Sequence, residues 1–528
     1  MQSRALKSLS TAAAVLILGL GACTDITTEP RSTVTGVNIF NDPGSYRAFV
    51  AKLYAGLAVS GQQGPSGAGD IEGIDEGFSQ YLRLMWQMQE LPTDEAAIAW
   101  QDAGLPELNT QLWSSSNPFL GSMYYRIFFQ ATLANEFLRE TTDEKLASRA
   151  VGSGLRTEIQ QFRAEARFLR ALSYWHGIDL FGSIPLVTEA DAVNSAPPRQ
   201  ATRKELFDFV VSELTTIREA LPATPQYGRA GRSAADMMLA KLYLNAQVYT
   251  GENRYADART AAERVIASGV YRLDDRYQDI FLADNHTSPE IIFPITQDGR
   301  NTRTYGGMTF LAHASVGGNV MKAADYGLNG GWWGLRVRPQ VVALFPGAGP
   351  SSPDKRSAYF FTQGQTLQMN SISDFTNGYA APKYQNVTST GQPGSNSEFV
   401  DIDFPMFRLA DAYLMYAEAV LRGGGGSRAQ ALNYVNQLRQ RAYGNASGNI
   451  TDAQLTLDFI LAERARELLW EGHRRTDLIR FDRFTDNGTW AWKGNVQAGR
   501  TTEAFRDLYP LPASELLANP NLKQNTGY

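Results

Sequence analysis

Two stretches of the chain, Ala235 to Ile266 and Leu409 to Arg441, each read as a helix, a glycine break and a second helix, and they point to a fold built on paired helices. In each, a first helix rich in Ala, Leu and Tyr (Leu239, Leu242, Tyr243 and Ala246; Leu414, Tyr416 and Ala417) precedes an Ala-rich second one (Ala258, Ala262 and Val265; Ala431, Val435 and Leu438). The breaks fall at Gly251 and at Gly423 to Gly426. Small residues on both partners let helix axes approach closely. A third helix is expected over Phe162 to Phe181: Arg163, Arg167 and Arg170 share one stripe, Phe162, Ala166 and Leu169 form one apolar face, and Phe168, Leu172 and Trp175 form another. A helix apolar on two sides is packed on two sides. A further helix is expected to begin with the Thr451-x-x-Gln454 capping box and to run through Leu461, Leu468 and Trp470 to Gly472.

The paired units have a length of about 34 residues, the tetratricopeptide period, although the strict repeat consensus is absent. Between about Asp274 and Asp403 the helical period gives way to Gly, Asn, Ser, Pro and aromatics, which predicts loops with short strands. Glu290 to Ile295 is the clearest strand, an apolar run stopped by turn formers.

The amino terminus reads as a targeting segment. Arg4 and Lys7 form a positive start, and Ala12 to Leu20 is apolar but too short to span a bilayer. It ends in Leu20-Gly21-Ala22-Cys23, similar to a bacterial lipoprotein cleavage box, and Cys23 is the single cysteine of the chain, so it has no disulfide partner. A multiply acylated Cys23 would anchor the folded part stably, with Thr24 to Thr35 as a tether. No run of 18 or more apolar residues follows, so the mature chain is not expected to cross a membrane by itself. A net charge of -5 with both signs interspersed offers no field for nucleic acid. An aromatic share of 11% suits recognition of flat or apolar ligand faces, and it equally suits a large core.

No catalytic constellation is visible. His176, His286, His313 and His473 match no zinc or triad spacing, and His473, beside Arg474 and Arg475 at a helix end, reads as structural. The acidic pairs Asp94-Glu95 and Asp401 with Asp403 read as surface or capping groups. Glu463, Arg464, Arg466, Glu467 and Glu471 suggest a helix-stabilising ion-pair lattice at i,i+3 spacings. The glycines at Gly423 to Gly426 and Gly330-Gly331 lack the Lys-Ser/Thr pattern of a phosphate loop. The aromatics are more informative. Trp332 and Trp333 sit in Asn329-Gly330-Gly331-Trp332-Trp333-Gly334, where an indole is hard to explain by helix packing, and Tyr81, Trp86, Trp100 and Trp113 fall near Thr93-Asp94-Glu95.

Together these features resemble the SusD/RagB family of outer-membrane lipoproteins over nearly the whole mature chain. The resemblance is carried by Thr93-Asp94-Glu95 with the Trp-rich segment after it, by Phe162 to Ala171 running into Asp179 to Val187, and by Phe407 to Ala419. It continues in Ile460 to Leu468 with Glu471 to Arg474 and Asp477-Leu478, and in Tyr509-Pro510-Leu511-Pro512 with Asn519 to Leu522 and Gln524-Asn525. The resemblance implies a mainly α fold: a right-handed superhelix of tetratricopeptide-like helix pairs carrying an irregular, loop-rich, ligand-facing region with short strands. It implies a signal peptide over residues 1–22, a lipidated tether over 23–35 and one domain over 36–528, helical mainly over 36–273 and 404–528 with about 274–403 inserted. It also implies a surface-facing outer-membrane lipoprotein, not an enzyme, that binds oligosaccharides and passes them to a SusC-like TonB-dependent barrel. Peptide binding of the RagB kind is the variant reading, and a lipid-anchored glycosidase the more remote one. The matching ligand-binding candidates are Trp100, Trp332, Trp333 and Tyr81, with Cys23 as the lipidation site; no cofactor and no metal ligands are expected.

Overall fold

The computed structural model describes residues 39–65, 67, 69–193 and 196–528. The signal segment, Cys23 and the tether lie outside the described residues. The chain divides into two compact units, residues 1–46 and 47–528. In the described part of the first, Tyr46 packs its ring on Phe40 at 5.2 Å and donates its hydroxyl to the Phe40 carbonyl. The elements that follow belong to the second.

From Tyr81 onward its longer helices are α1 (Tyr81–Glu90), α2 (Pro118–Glu140), α3 (Ser153–Leu180), α4 (Arg203–Ile217), α5 (Arg232–Leu244), α6 (Tyr255–Ala267), α7 (Gly307–Ala314), α8 (Leu409–Leu421), α9 (Arg428–Tyr443), α10 (Leu457–Leu468) and α11 (Arg474–Arg480), beside shorter helices and turns; a helix over Pro43–Ala58 precedes them. Local chemistry fixes their starts. Asn117 accepts from the Phe119 and Leu120 amides ahead of α2, whose first residue is a proline, and Thr202 with Glu205 closes a reciprocal capping box on α4. Packing runs from neighbour to neighbour: α1 on α2, α2 on α3, α3 on α4, α4 on α5, α5 on α6, α6 on α8, and α8 on both α9 and α10. The contact between α6 and α8 joins the helices that flank the irregular segment. Alanines make it close, with Ala258, Ala261 and Ala262 of α6 and Ala410, Ala412 and Ala417 of α8 all fully buried. At its end Arg259 donates to the Gly424 carbonyl at 3.0 Å, and a Cβ on Gly424 would sit 2.6 Å from the Tyr255 carbonyl oxygen.

The helix-turn-helix expectations hold at both sites, with Gly251 left-handed (φ 79°) where the first unit turns. The helix expected over Phe162 to Phe181 begins earlier, at Ser153, and is buried on both apolar faces. The Thr451 box is formed, but on an isolated turn over Asp452–Gln454; Thr456 caps α10, which stops at Leu468. Trp470 lies beyond it with a positive φ of 62°, held by indole donation to the Glu95 carbonyl.

Among the described residues four short strands pair as two antiparallel ladders, β1 (Ala96–Ile98) with β3 (Leu335–Val337) and β2 (Ile291–Ile295) with β4 (Phe404–Arg408). Strand β2 is the one expected from sequence, and β4 runs directly into α8.

The charges of α10 differ from the local lattice that i,i+3 spacing suggests. Only Arg466 with Glu463 pairs along the helix; the rest reach across the fold and are buried. Arg356 bridges Glu463 and Glu467 at 2.8 and 3.0 Å, and Arg408 binds Glu290, Glu467 and Glu471 at 2.6 to 2.7 Å. Arg464 holds Asp411 and Asp477 at 2.8 and 2.7 Å. A charge taken out of water is tolerated only with such full pairing. His473 stands directly before α11 without a side-chain capping bond; burial, then Lys241 beside it, holds its pKa well below the usual value, so the ring is neutral. The blocks that carry the family resemblance meet around α1. Asp179 accepts from Gln89 and Arg475, Asp94 pairs with Arg474 at 2.7 Å, and Tyr509 donates to the Met88 carbonyl.

Candidate ligand-binding platform

The β1–β3 ladder determines the site. Its register pairs Ile98 with Leu335, so the chain leaving β1 and the chain entering β3 lie side by side at the same end. The Ala99 amide donates to the Gly334 carbonyl at 2.9 Å, and one step further the Trp100 indole N–H donates to the Trp332 carbonyl at 2.8 Å. The two indoles sit 6.3 Å apart, tilted by 42°. Gly334 is required here, because a Cβ would fall 2.9 Å from Trp100 Cε2.

A third ring comes from the loop before α7. Tyr305 lies 6.3 Å from Trp332 at 60°, and its hydroxyl donates to Glu398 at 2.8 Å. All three residues are partly buried; the Trp100 indole N–H and the Tyr305 hydroxyl are each held by a hydrogen bond. Behind them is a rigid support. His313 of α7 stacks on Trp332 at 4.6 Å and 21°, and its Nδ1 and Nε2 face the carbonyls of Gly330 and Glu398 at 2.7 and 3.0 Å. Burial lowers the His313 pKa, and the two carbonyls that face its nitrogens work against that shift. Phe310 meets the Trp100 ring edge-on at 5.7 Å, and the Arg83 guanidinium lies 4.4 Å from the Phe310 centroid. Burial brings Arg83 down to about 10, and it stays a cation.

Trp333 points elsewhere. It is 47% exposed, has a left-handed φ of 56°, and lies 6.3 Å from Phe375, tilted by 42°. A bulky residue with positive φ stores local strain, and the donation of its amide to the Val316 carbonyl at 3.0 Å helps to hold it there. Tyr81 is not part of the platform. It is 0% exposed, its hydroxyl shares a 2.8 Å hydrogen bond with His176 Nδ1, and it has no face to offer a ligand. The structure therefore brings Trp100 and Trp332 together, sets Trp333 at their margin and buries Tyr81. Tyr305 was missed by sequence reasoning, although Tyr305-Gly306-Gly307 carries the same aromatic-beside-glycine signal as the Trp332 loop.

The acidic pairs are occupied structurally. Asp94 holds Arg474, Asp401 accepts from Gly299 and Ser395, and Asp403 accepts from Tyr227 at 2.6 Å and from the Gln297 amide at 2.7 Å. Burial raises Asp403 to about 6. Among the described residues no group of three or more His, Cys, Asp or Glu side chains could hold a metal ion, and no helix is long and apolar enough to cross a membrane. What the platform offers is flat apolar ring faces with hydroxyl and carboxylate groups at the edges.

Residues 298–528 match the SusD family, and residues 87–244 match a family described as starch-binding associating with outer membrane. The chain is 34% identical to the starch-binding protein SusD of Bacteroides thetaiotaomicron, covering 100% of both chains, and 25% identical to SusD-like protein P2 of Formosa agariphila over 97% of this chain and 98% of that one. Among solved structures it resembles a SusD superfamily protein from Bacteroides vulgatus (TM-score 0.70, 19% identity, 92% of this chain and 99% of that one). It also resembles surface glycan-binding protein A of Bacteroides thetaiotaomicron in complex with laminarihexaose (TM-score 0.70, 20% identity, 91% and 99%). The fold is thus the helix-rich SusD-superfamily fold with few, short strands. The chain belongs to the SusD family.

Proposed function

We propose that this protein is an outer-membrane lipoprotein that captures oligosaccharides on Trp100, Trp332 and Tyr305, with Trp333 as an outlying contact, and passes them to a SusC-like TonB-dependent barrel. The observation that carries the reading is the convergence of three partly buried aromatic rings from separate loops onto one rigidly backed surface. The CH faces of a pyranose stack on such rings, while Glu398 and the Tyr305 hydroxyl stand ready for its hydroxyl groups. Starch binding in the SusD relative and laminarihexaose in the glycan-binding neighbour support a sugar ligand. Acyl chains on Cys23 hold the protein at the cell surface, and the chain acts by binding, without turnover. Titration calorimetry of residues 24–528 against maltoheptaose and laminarihexaose tests the ligand. Trp332→Ala is expected to cost about 2 kcal/mol, roughly thirtyfold in Kd, as a buried aromatic anchor does. Unchanged affinity in that variant would remove the platform from the account.

A further inference from the structure

A second recess opens beside the platform, between the 73–78 segment, the beginning of α2 and the 512–514 segment, with a volume of about 510 Å³. This lies within the range of roughly 300 to 1,000 Å³ usual for ligand clefts. Its wall combines the half-buried ring of Phe78 with the hydroxyls of Ser115, Ser116, Tyr125 and Ser514 and the carboxylate of Asp75. Phe78 is fixed by packing on Phe119 at 4.6 Å. Asp75 Oδ1 accepts from the Gly77 and Phe78 amides at 2.8 and 2.9 Å, and Oδ2 has no partner among the described residues. The Tyr125 and Ser514 hydroxyls bond each other at 2.6 Å, and together with the fixed ring face, the serine hydroxyls and the free carboxylate oxygen they form a mixed apolar and polar surface that suits the CH face and hydroxyl rim of a sugar ring.

Two connections tie the recess to the platform. The chain from Trp100 reaches Gly104 in four residues, a span of at most about 14 Å. There, with φ 97°, it passes so close to the start of α2 that a Cβ would lie 2.9 Å from Pro118. Independently, Arg83 donates from one nitrogen to the Gly77 carbonyl at 3.2 Å, beside the recess, and to the Tyr305 carbonyl at 3.3 Å, on the platform. Between the two sites Gln101 and Asp102 are exposed and polar.

We infer that the recess is an extension subsite, in which an oligosaccharide stacked on Trp100 and Trp332 continues past Gln101 and Asp102 and seats its further sugar units against Phe78 and the surrounding hydroxyls. The inference rests on the platform being the primary sugar surface, and it makes the protein selective for chain length. Calorimetry with maltotriose and maltodecaose on residues 24–528 tests it, comparing wild type, Ser514→Trp to fill the recess, Phe78→Ala to remove its ring, and Trp332→Ala. Wild type is expected to bind maltodecaose at least about tenfold more tightly than maltotriose, and both recess variants to reduce that ratio about fivefold or more while leaving maltotriose unchanged. The advantage a longer chain gains from its many binding registers is common to all variants and cancels. A ratio unaltered in both recess variants, with Trp332→Ala weakening both sugars, overturns the extension and leaves the platform standing. Trp332→Ala without effect, or no binding of either sugar by wild type, overturns the platform and the extension with it.

Discussion

At the scale of single residues, Gly334 does more for the site than its size suggests. It lets β3 approach so closely that the Trp100 indole lies against backbone, and Gly334→Ala would force the two apart. Such overpacking costs about 1 to 3 kcal/mol, so ligand affinity is expected to fall at least about fivefold with the circular dichroism spectrum unchanged; calorimetry on the variant reads this directly. Asp403 gives a second prediction. Its pKa rises from 3.8 to about 6 because burial disfavours the carboxylate, so the folded chain holds this proton more tightly than the unfolded one. Stability from this group is therefore fully present below about pH 4 and lost as pH rises towards 6, by an amount on the order of 3 kcal/mol. Asp403→Asn, which keeps an acceptor for the Gln297 amide, is expected to flatten that part of the stability curve in urea titrations from pH 4 to 7. Trp332 stands out in the sequence because an indole among glycines has no helix to pack in, and Trp100 because it follows Thr93-Asp94-Glu95. Tyr81 was misread because spacing carries no information about depth, and the His176 hydrogen bond that absorbs it lies 95 residues away.

At the scale of elements, propensity and glycine placement located α6, α8 and α9 well, since each ends at or just before a glycine (Gly269, Gly423 and Gly444), whereas α5 stops at Leu244 and a separate short helix fills the stretch to Gly251. The charges of α10 were not legible in the same way. Their spacing fits a solvated helix surface, yet their partners Arg356, Arg408 and Asp411 come from segments far away in sequence, and only the fold brings them together. Burial changes the energetic consequence as well as the geometry. A surface pair contributes about 0 to 1 kcal/mol, whereas removal of one partner from a buried set costs about 3 to 5. Arg408→Met leaves Glu290, Glu467 and Glu471 short of their shared cation and is expected to lose about that amount in denaturant unfolding; a loss below about 1 kcal/mol would contradict a buried network. By comparison, Thr202→Ala removes only the capping box of α4 and is expected to cost about 1 kcal/mol in the same measurement.

At the scale of the whole molecule, the helices provide a frame, and the irregular segment together with the loop after β1 provides the platform rings. The two meet where α7 and α1 support Phe310, His313 and Arg83 behind the rings. Motif blocks shared with the family lie in the frame, which is why sequence could identify the family and yet say little about the ligand. The loops bearing Trp100, Tyr305 and Trp332 carry no helical period, so their convergence depends on a three-residue ladder that no local pattern announces. If Cys23 carries the anchor, Cys23→Ser is expected to move the protein from the membrane pellet to the soluble fraction on cell fractionation. The most direct measurement for the central claim is a crystal structure of residues 24–528 with bound maltoheptaose. The account predicts sugar rings stacked on Trp100 and Trp332, with a hydroxyl in reach of Tyr305 or Glu398. Ordered sugar at another surface, with those three rings bare, would contradict it.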